Sequence, residues 1–276
     1  MTGKDHIGKA AGGRAKVITV ANQKGGVGKT TTVMNLACSL AQSGQRVLAI
    51  DSDAQANLTS YLGVALEGSH LGSLDELYLS KKAVSPEMVA GFIHETSATG
   101  HGLKLIPSDA GLNGVEFYLF SRPNRELLLS KFIAAISDQF DTILIDTPPS
   151  LNLLTLNALA ASDRVLIPVQ PEFFSLEGIV KIRQAIADVR ERWNPRLEVG
   201  GVLVTQANFR RKLTSEVISA LRDEFSELLF ETVIHENSSV SESSGHGASV
   251  MDYAPKSKGA EDYQSLGQEV LRRLNF

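Results

Sequence analysis

The fold is decided by one short stretch, Lys24-Gly25-Gly26-Val27-Gly28-Lys29-Thr30-Thr31. It follows an apolar run, Val17–Asn22, and opens a helical pattern, Thr30–Ser43. The glycines allow consecutive backbone N–H groups to turn inward around a phosphate, because no Cβ obstructs the turn. The N-terminus of the following helix adds partial positive charge at the same place. The stretch therefore predicts a phosphate-binding loop between a strand and a helix.

Two side chains of this loop have predicted roles with a nucleotide. Lys29 is expected to reach the β and γ phosphates, and the Thr30 hydroxyl is expected to ligate Mg²⁺. ATP and Mg²⁺ are accordingly the predicted cofactors. The predicted nucleotide-binding set is Lys24, Gly25, Gly26, Val27, Gly28, Lys29, Thr30 and Thr31.

Apolar runs alternate with longer helical patterns along the chain. The strand candidates are Val17–Asn22, Val47–Asp51, Leu103–Pro107, Thr142–Asp146, Arg164–Val169, Gly200–Thr205 and Glu231–His235. The helix candidates are Thr30–Ser43, Arg125–Gln139, Ser175–Trp193, Thr214–Phe225 and Gly259–Leu274. Strands that are apolar on both faces and alternate with helices are typical of parallel sheets with right-handed crossovers. We predict an α/β fold with a doubly wound, mostly parallel sheet and helices on both faces.

The chain is predicted to form one domain. Residues 1–15 are polar and rich in Gly and Ala, which predicts a disordered N-terminal tail, and residues 16–276 form a single P-loop domain. Three stretches are expected to be irregular: Glu67–Gly72, Ser97–Gly102 and the serine-rich Asn237–Ser249. Gly44 stands where a helix C-terminal glycine belongs.

Three aspartates are candidate site residues. Asp51 and Asp146 each end an apolar strand candidate, and Asp53 lies two residues after Asp51. Carboxylates at the carboxyl ends of strands lie beside the ligand in doubly wound sheets. Asp146 is therefore expected to hold Mg²⁺ through its water shell, in the manner of a Walker B acid. Pro148 and Pro149 are expected to end its strand and shape the following loop.

Composition excludes several other classes of protein. Lys plus Arg number 27 and Asp plus Glu number 31, so the net charge of −4 argues against a basic coat over the whole surface. The single cysteine, Cys38, excludes an intramolecular disulfide and a cysteine-rich zinc site. The six histidines show no paired ligand spacing. No apolar run reaches the roughly 18 residues of a membrane-spanning helix, so stable membrane insertion is not expected.

One departure from the general P-loop pattern points to a family. Gln23 stands where the general motif has glycine, and Lys24 stands just inside the loop. This form resembles the deviant Walker A motif of the ParA/MinD ATPases. The wider match includes Ala21–Thr32, Ile50–Asn57, Ile145–Leu151 and Lys258–Tyr263. From Lys16 onward the chain resembles a ParA, Soj-type, partition ATPase.

The resemblance implies a dimerising switch. In that family ATP joins two subunits face to face, the dimer binds DNA non-specifically, and a ParB-like or other cargo-adaptor partner stimulates slow hydrolysis. By motif, Lys24 reaches the partner's nucleotide, Asp53 positions the attacking water, and Asp51 supports the Mg²⁺ water network. Gly25 must stay small for the dimer to close. The expected catalytic residues are therefore Lys24, Lys29 and Asp53. The expected metal site consists of Thr30, Asp51 and Asp146. The expected location is the cytoplasm, with nucleoid association where DNA is bound.

DNA binding is where the sequence departs from the family. Glu236 and Ser239 stand where relatives carry two arginines, and this loss weakens a phosphate-binding patch. Other cations could substitute for them. The candidate DNA-binding residues are Arg210, Arg211, Lys212, Lys256 and Lys258.

Alternatives therefore stay open at the sequence level. The same ATP site would serve a switch that positions a protein cargo or a membrane-associated cargo without strong DNA binding. Leu266–Phe276 is weakly amphipathic, but a final helix packed on the sheet is the favoured interpretation. Relatives of nitrogenase-reductase type share the deviant loop but bind a cluster with two cysteines per subunit, and this chain has only Cys38. Ligases of biotin-pathway type need a substrate site that the sequence does not reveal. The adenine pocket is predicted near Thr205–Asn208 from topology alone.

Overall fold

The computed structural model describes residues 13–66, 68–96, 102–173 and 175–274. The strands are β1 (Lys16–Val20), β2 (Val47–Asp51), β3 (His94–Glu95), β4 (Lys104–Ile106), β5 (Thr142–Asp146), β6 (Arg164–Val169), β7 (Glu198–Ala207) and β8 (Leu229–His235). The helices are α1 (Lys29–Gln42), α2 (Asn57–Tyr61), α3 (Leu74–Leu79), α4 (Pro86–Ala90), α5 (Leu112–Leu119), α6 (Leu128–Ile136), α7 (Leu153–Ala161), α8 (Ser175–Arg192), α9 (Lys212–Phe225), α10 (Ser238–Gly245), α11 (Val250–Tyr253) and α12 (Lys258–Arg273).

The strands form one sheet in the order β3-β4-β2-β5-β1-β6-β7-β8. β3 is antiparallel to β4, and the other neighbours are parallel. Alternate residues of each strand face opposite sides: Leu144 packs with α1 and α12, whereas Ile143 and Ile145 pack with α5 and α6. The predicted α/β fold, a doubly wound and mostly parallel sheet with helices on both faces, is confirmed.

The predicted strands are all present, with ends that differ by at most two residues. Two of the predicted helices are shorter or longer than expected: α6 covers only Leu128–Ile136, because 3₁₀ turns flank it, and α9 begins two residues early at Lys212. Gly44 has a φ of 88°, as expected after the end of α1. Cys38 is buried in the core.

The prediction of an irregular Asn237–Ser249 is wrong for residues 238–245 and holds for residues 246–249. Residues 238–245 form α10, which the Asn237 side chain caps by accepting from the Ser239 N–H at 2.9 Å. The Ser243 hydroxyl donates to the backbone oxygen of Val240, so this serine is satisfied within the helix. Most of Ser97–Gly102 lies outside the described residues.

The sequence pattern also failed to predict several helices and one strand. Helix α7 is apolar nearly all round and lies between α6, α8 and the sheet, so it has no 3.6-residue pattern to detect. The short helices α2 to α5 and the two-residue strand β3 lie between β2 and β5. Their length gives little periodic signal.

The ordered fold begins before the predicted boundary at residue 16. Ala15 is 1% exposed, and its N–H donates to the Ser137 oxygen at 2.9 Å. Arg14 pairs with Asp163. The rest of the predicted tail, residues 1–12, lies outside the described residues.

Helix α12 covers the outer strand β8 instead of presenting an apolar face to a membrane. Tyr263, Leu266 and Val270 lie in the core, and within the described ranges no helix is long and apolar enough to cross a bilayer. The buried Glu269 carboxylate accepts from the Glu231 N–H at 2.8 Å and the Thr232 N–H at 2.9 Å. These backbone donors lie where the pairing of β8 with β7 is irregular, between Leu229 and Val233, so α12 gives them an acceptor.

We expect Glu269→Ala to lower the free energy of unfolding by about 2 kcal/mol, because two backbone donors and Arg273 lose their acceptor. Urea denaturation measures the change. The matched control on the same helix is Glu261→Ala, whose exposed pair with Lys258 contributes at most about 1 kcal/mol. Equal effects of the two substitutions would contradict this role of Glu269.

Candidate functional site

The phosphate-binding loop lies between the carboxyl end of β1 and the N-terminus of α1. Gly26 and Gly28 have φ values of 76° and 83°, in the left-handed region that favours glycine. Gly28 is the N-cap residue of α1, and no side chain caps the helix there. The first backbone N–H groups of α1 therefore have no side-chain cap among the described residues, an arrangement suited to an anion.

Lys29 is the buried lysine of the loop. It is 7% exposed, and its Nζ donates to the backbone oxygen of Lys24 at 3.2 Å. Burial lowers the pKa of Lys29, while the negative charges of Asp146 and Asp53 act in the opposite direction. A bound phosphate would add anionic oxygens around this ammonium and stabilise its charged form.

Asp51 and Asp146 face each other at the carboxyl ends of neighbouring strands. They are direct partners in the parallel register of β2 and β5, and both are fully buried. Burial raises the pKa of Asp51 to about 6, although its Oδ2 accepts from the Thr59 N–H at 2.8 Å and the Thr59 hydroxyl at 2.7 Å. Burial also raises the pKa of Asp146, and the charge of Asp51 adds to that rise.

The surroundings of Asp146 fit a magnesium ion. Its Oδ2 is buried and has no hydrogen-bond partner among the described residues, which is the condition of an oxygen that a hydrated cation would satisfy. The nearby Thr30 side chain partly offsets the rise in the pKa of Asp146, so the two predicted metal residues lie close together. No cage of three or more Asp, Glu, His or Cys side chains forms among the described residues. Mg²⁺ here would therefore take its other ligands from phosphate oxygens and water.

Asp53 lies at the rim of the same site. Its N–H donates to Asp51 Oδ1 at 3.2 Å, and its own Oδ1 accepts from the Gln55 N–H at 3.0 Å. It is half-buried, and its charge acts on both Lys29 and Asp146. The structure thus brings Asp51, Asp53 and Asp146 together, as the sequence predicted.

Lys24 points along the surface instead of into its own loop. Its Nζ pairs with Glu172, which follows the carboxyl end of β6. The Lys24 side chain is 39% exposed and that of Glu172 55%. Nothing in the sequence predicted this partner, because Glu172 is far along the chain.

A cavity of about 320 Å³ opens beside Gly28 and Thr31. Thr205 and Gln206 line it, so the predicted adenine segment Thr205–Asn208 contributes its first two residues. The rest of the wall was missed: it comes from the end of β8 and the segment that follows it, residues 234–238, 240 and 241, and from Tyr263. The available signal was that a segment following the carboxyl end of a strand reaches the ligand edge of the sheet.

The candidate DNA-binding cations are dispersed. Arg210, Arg211 and Lys212 lie at the start of α9, where the Lys212 side chain is 92% exposed. Lys258 is on α12 and pairs with Glu261 and Asp262. Lys256 precedes the same helix.

Glu236 lies beside the first of these groups. It lines a cavity together with Arg211, and its Oε2 accepts from the Asn208 amide at 2.7 Å. An exposed acidic side chain therefore adjoins the cluster Arg210–Lys212. Ser239 lies in the first turn of α10 and is half-buried.

The loop, the buried lysine and the paired carboxylates define a P-loop nucleotide-binding protein. The model of a family described as an AAA domain matches residues 15–199. The chromosome partitioning protein ParA of Myxococcus xanthus is 38% identical over 271 residues, which cover 98% of this chain and 92% of that protein. The sporulation initiation inhibitor protein Soj of Bacillus subtilis is 40% identical over 255 residues, which cover 92% and 98%. The chain belongs to the ParA/Soj family of partition ATPases.

Two solved structures of similar proteins contain ATP or an ATP analogue. The ATP complex of a McdA variant from Cyanothece has a TM-score of 0.83 and 25% identity, covering 96% of this chain and 98% of that one. Cobyrinic acid a,c-diamide synthase from Mycobacterium smegmatis, with a bound ATP analogue and magnesium, has a TM-score of 0.79 and 32% identity, covering 95% and 96%.

We expect Asp146→Asn to stabilise the protein in EDTA without nucleotide. Because the folded pKa of Asp146 is raised, the native state holds this proton more tightly than the unfolded state does. The contribution of Asp146 to wild-type stability is then fully present at acidic pH and is lost as pH rises above the unfolded value near 3.8. The variant lacks this loss, so its urea midpoint should match wild type near pH 4 and exceed it at pH 8.

Thermal shift with Mg²⁺·ADP supplies the second half of this test. The variant should lose most of the stabilisation by Mg²⁺·ADP that wild type shows. A variant less stable than wild type at pH 8, or one fully stabilised by Mg²⁺·ADP, would contradict our account of Asp146.

Proposed function

We propose that this chain is an ATP-dependent dimerising switch that segregates or positions DNA cargo, with ATP and Mg²⁺ as its cofactors. The observation that carries the proposal is the presence of two loop lysines in different settings. Lys29 is buried against the carboxylates, whereas Lys24 is at the surface in an ion pair. A single nucleotide site needs only the first, so the second is suited to a phosphate on another molecule.

The geometry supports hydrolysis by positioning and charge compensation. Lys29 and the α1 N-terminus would hold the phosphates, and Thr30 with Asp146 would hold Mg²⁺, which neutralises charge on the phosphoryl group. Asp53, at the rim, is the carboxylate we assign to the attacking water. Both lysines would compensate the charge that develops in the transition state.

The surface around Lys24 is suited to a second copy of the chain. Phe173, Leu176 and Val180 follow Glu172, and their exposed fractions are 77%, 38% and 63%. Burial of such side chains against a partner is favourable at about 25 cal/mol per Å². The exposed pair between Lys24 and Glu172 contributes at most about 1 kcal/mol, so a triphosphate could readily replace Glu172 as the partner of Lys24.

We expect Lys24→Ala to abolish dimerisation with Mg²⁺ and a non-hydrolysable ATP analogue, because the cation that reaches the second nucleotide is lost. Light scattering after size exclusion measures the mass. The control is Lys82→Ala, an exposed lysine before α4, which should dimerise like wild type. Equal dimerisation of Lys24→Ala and wild type would remove this lysine from the interface.

The DNA part of the proposal depends on the surface cluster Arg210–Lys212. Exposed cations bind DNA by displacing counterions, and the exposed Glu236 beside them opposes that attraction. A ParB-like or other cargo-adaptor partner is the proposed activator of hydrolysis. The alternative, a protein cargo or membrane-associated cargo without strong DNA binding, is favoured by the same Glu236.

We expect non-specific duplex DNA to bind the ATP-analogue state, with an affinity that falls steeply as salt rises. Replacing Arg210, Arg211 and Lys212 together by Ala should weaken binding by about tenfold or more, and Glu236→Arg should strengthen it. Fluorescence anisotropy across a salt series measures both, with Lys81→Ala/Lys82→Ala as the control. Absence of binding at low salt would replace the DNA proposal by the alternative cargo.

A further inference from the structure

Gln206 has a backbone conformation that a residue of its type rarely adopts. Its φ is 53°, in the left-handed region, although it is not glycine. Such conformations are unfavourable and persist where surrounding interactions maintain them, often at functional sites. Gln206 lies near the carboxyl end of β7 and lines the cavity beside Gly28.

The Gln206 side chain contacts the phosphate-binding loop. Its Nε2 donates to the backbone oxygen of Gly26 at 2.8 Å. Gln170, which follows β6, donates its Nε2 to the same oxygen at 3.1 Å and to Gln206 Oε1 at 2.7 Å. Two glutamines at the carboxyl ends of the neighbouring strands β6 and β7 thus donate to the same carbonyl of the phosphate-binding loop, that of Gly26.

The orientation of the Gly26 carbonyl determines the direction in which the Val27 N–H points. The oxygen of Gly26 and the N–H of Val27 belong to one planar, trans peptide unit, so they point in opposite directions. Hydrogen bonds that hold the oxygen on one side of the loop therefore hold the Val27 N–H on the other. The next peptide unit is held in the same way, since the Thr205 hydroxyl donates to the Val27 oxygen at 2.8 Å.

A Gly26 carbonyl that could rotate freely would weaken the binding of phosphates at this loop. Gly26 has no Cβ to restrict rotation, and beyond its chain neighbours no atom of the described residues lies within 4 Å of where a Cβ would stand. A peptide that rotated would turn a partially negative oxygen toward the phosphates and remove an amide donor. Preorganised donors avoid that cost when the ligand arrives.

We propose that Gln206 and Gln170 are positioning residues that hold the Gly26–Val27 peptide with its N–H toward the nucleotide phosphates, and thereby increase nucleotide affinity. This inference rests on the proposed nucleotide site. It assigns a role to two side chains outside the phosphate-binding motif, and it explains why a strained glutamine stands at residue 206. Neither glutamine needs to contact the phosphates itself.

The test uses the full chain and Mg²⁺·ADP, with affinity measured by titration calorimetry. Gln206→Met and Gln170→Met keep the length of the side chain but cannot donate. Each should weaken Mg²⁺·ADP binding by about two- to tenfold, the range of a lost hydrogen bond. Gln184→Met, on the exposed side of α8, removes a bond to Asp188 and should bind Mg²⁺·ADP like wild type.

A second variant separates positioning from stability. Gln206→Gly removes the donor but also removes the backbone strain, since glycine adopts a positive φ readily. Its melting temperature without nucleotide should equal or exceed that of wild type, while its affinity for Mg²⁺·ADP falls. A merely structural role would make stability and affinity fall together.

The binding results separate a failure of this inference from a failure of the proposed function. Binding of Mg²⁺·ADP within twofold of wild type by both Gln206→Gly and Gln170→Met would overturn the inference and leave the proposed function standing. Loss only in the Gln206 variants would also overturn it, because Gln170 donates to the same Gly26 oxygen and its loss should weaken binding too. A wild-type chain that does not bind Mg²⁺·ADP would instead overturn the proposed function.

Discussion

The structure depends on two carboxylates that are buried side by side with one lysine. The parallel register of β2 and β5 makes Asp51 and Asp146 direct neighbours, and Lys29 is the buried cation between the loop and these strands. Two such acids are unfavourable as a charged pair in a dry interior unless further positive charge is supplied. Mg²⁺ and the amides of the loop are suited to this task together with a phosphate. The site is therefore organised around a ligand that carries its own metal ion.

The fold and the chemical centre could be predicted because their signals are local. Val and Ile runs mark the strands, and the spacing Gly28-Lys29-Thr30 requires a loop before a helix. Asp51 and Asp146 are recognisable because each ends an apolar strand. Helix α7 escaped prediction because burial on all sides removes its periodicity, and α10 because serines that are usually loop residues are satisfied within that helix.

The remaining features of the site depend on tertiary contacts. The pairing of Lys24 with Glu172 and the contacts of Gln170 and Gln206 with Gly26 join residues more than a hundred positions apart. No local pattern encodes them. The same limit applies to the surface: the sequence shows an acidic residue at position 236, and only the structure shows that Glu236 lies beside Arg211. Whether the surface cluster attracts DNA is therefore a question of charge balance between neighbours.

The most direct test of the central claim is a crystal structure with Mg²⁺ and a non-hydrolysable ATP analogue. We expect Lys29 on the β and γ phosphates, Mg²⁺ held at Thr30 with Asp146 in its water shell, and Lys24 released from Glu172 onto the nucleotide of a second copy. A structure in which Asp146 lies away from the metal, or in which a single copy binds the nucleotide while Lys24 stays on Glu172, would contradict it.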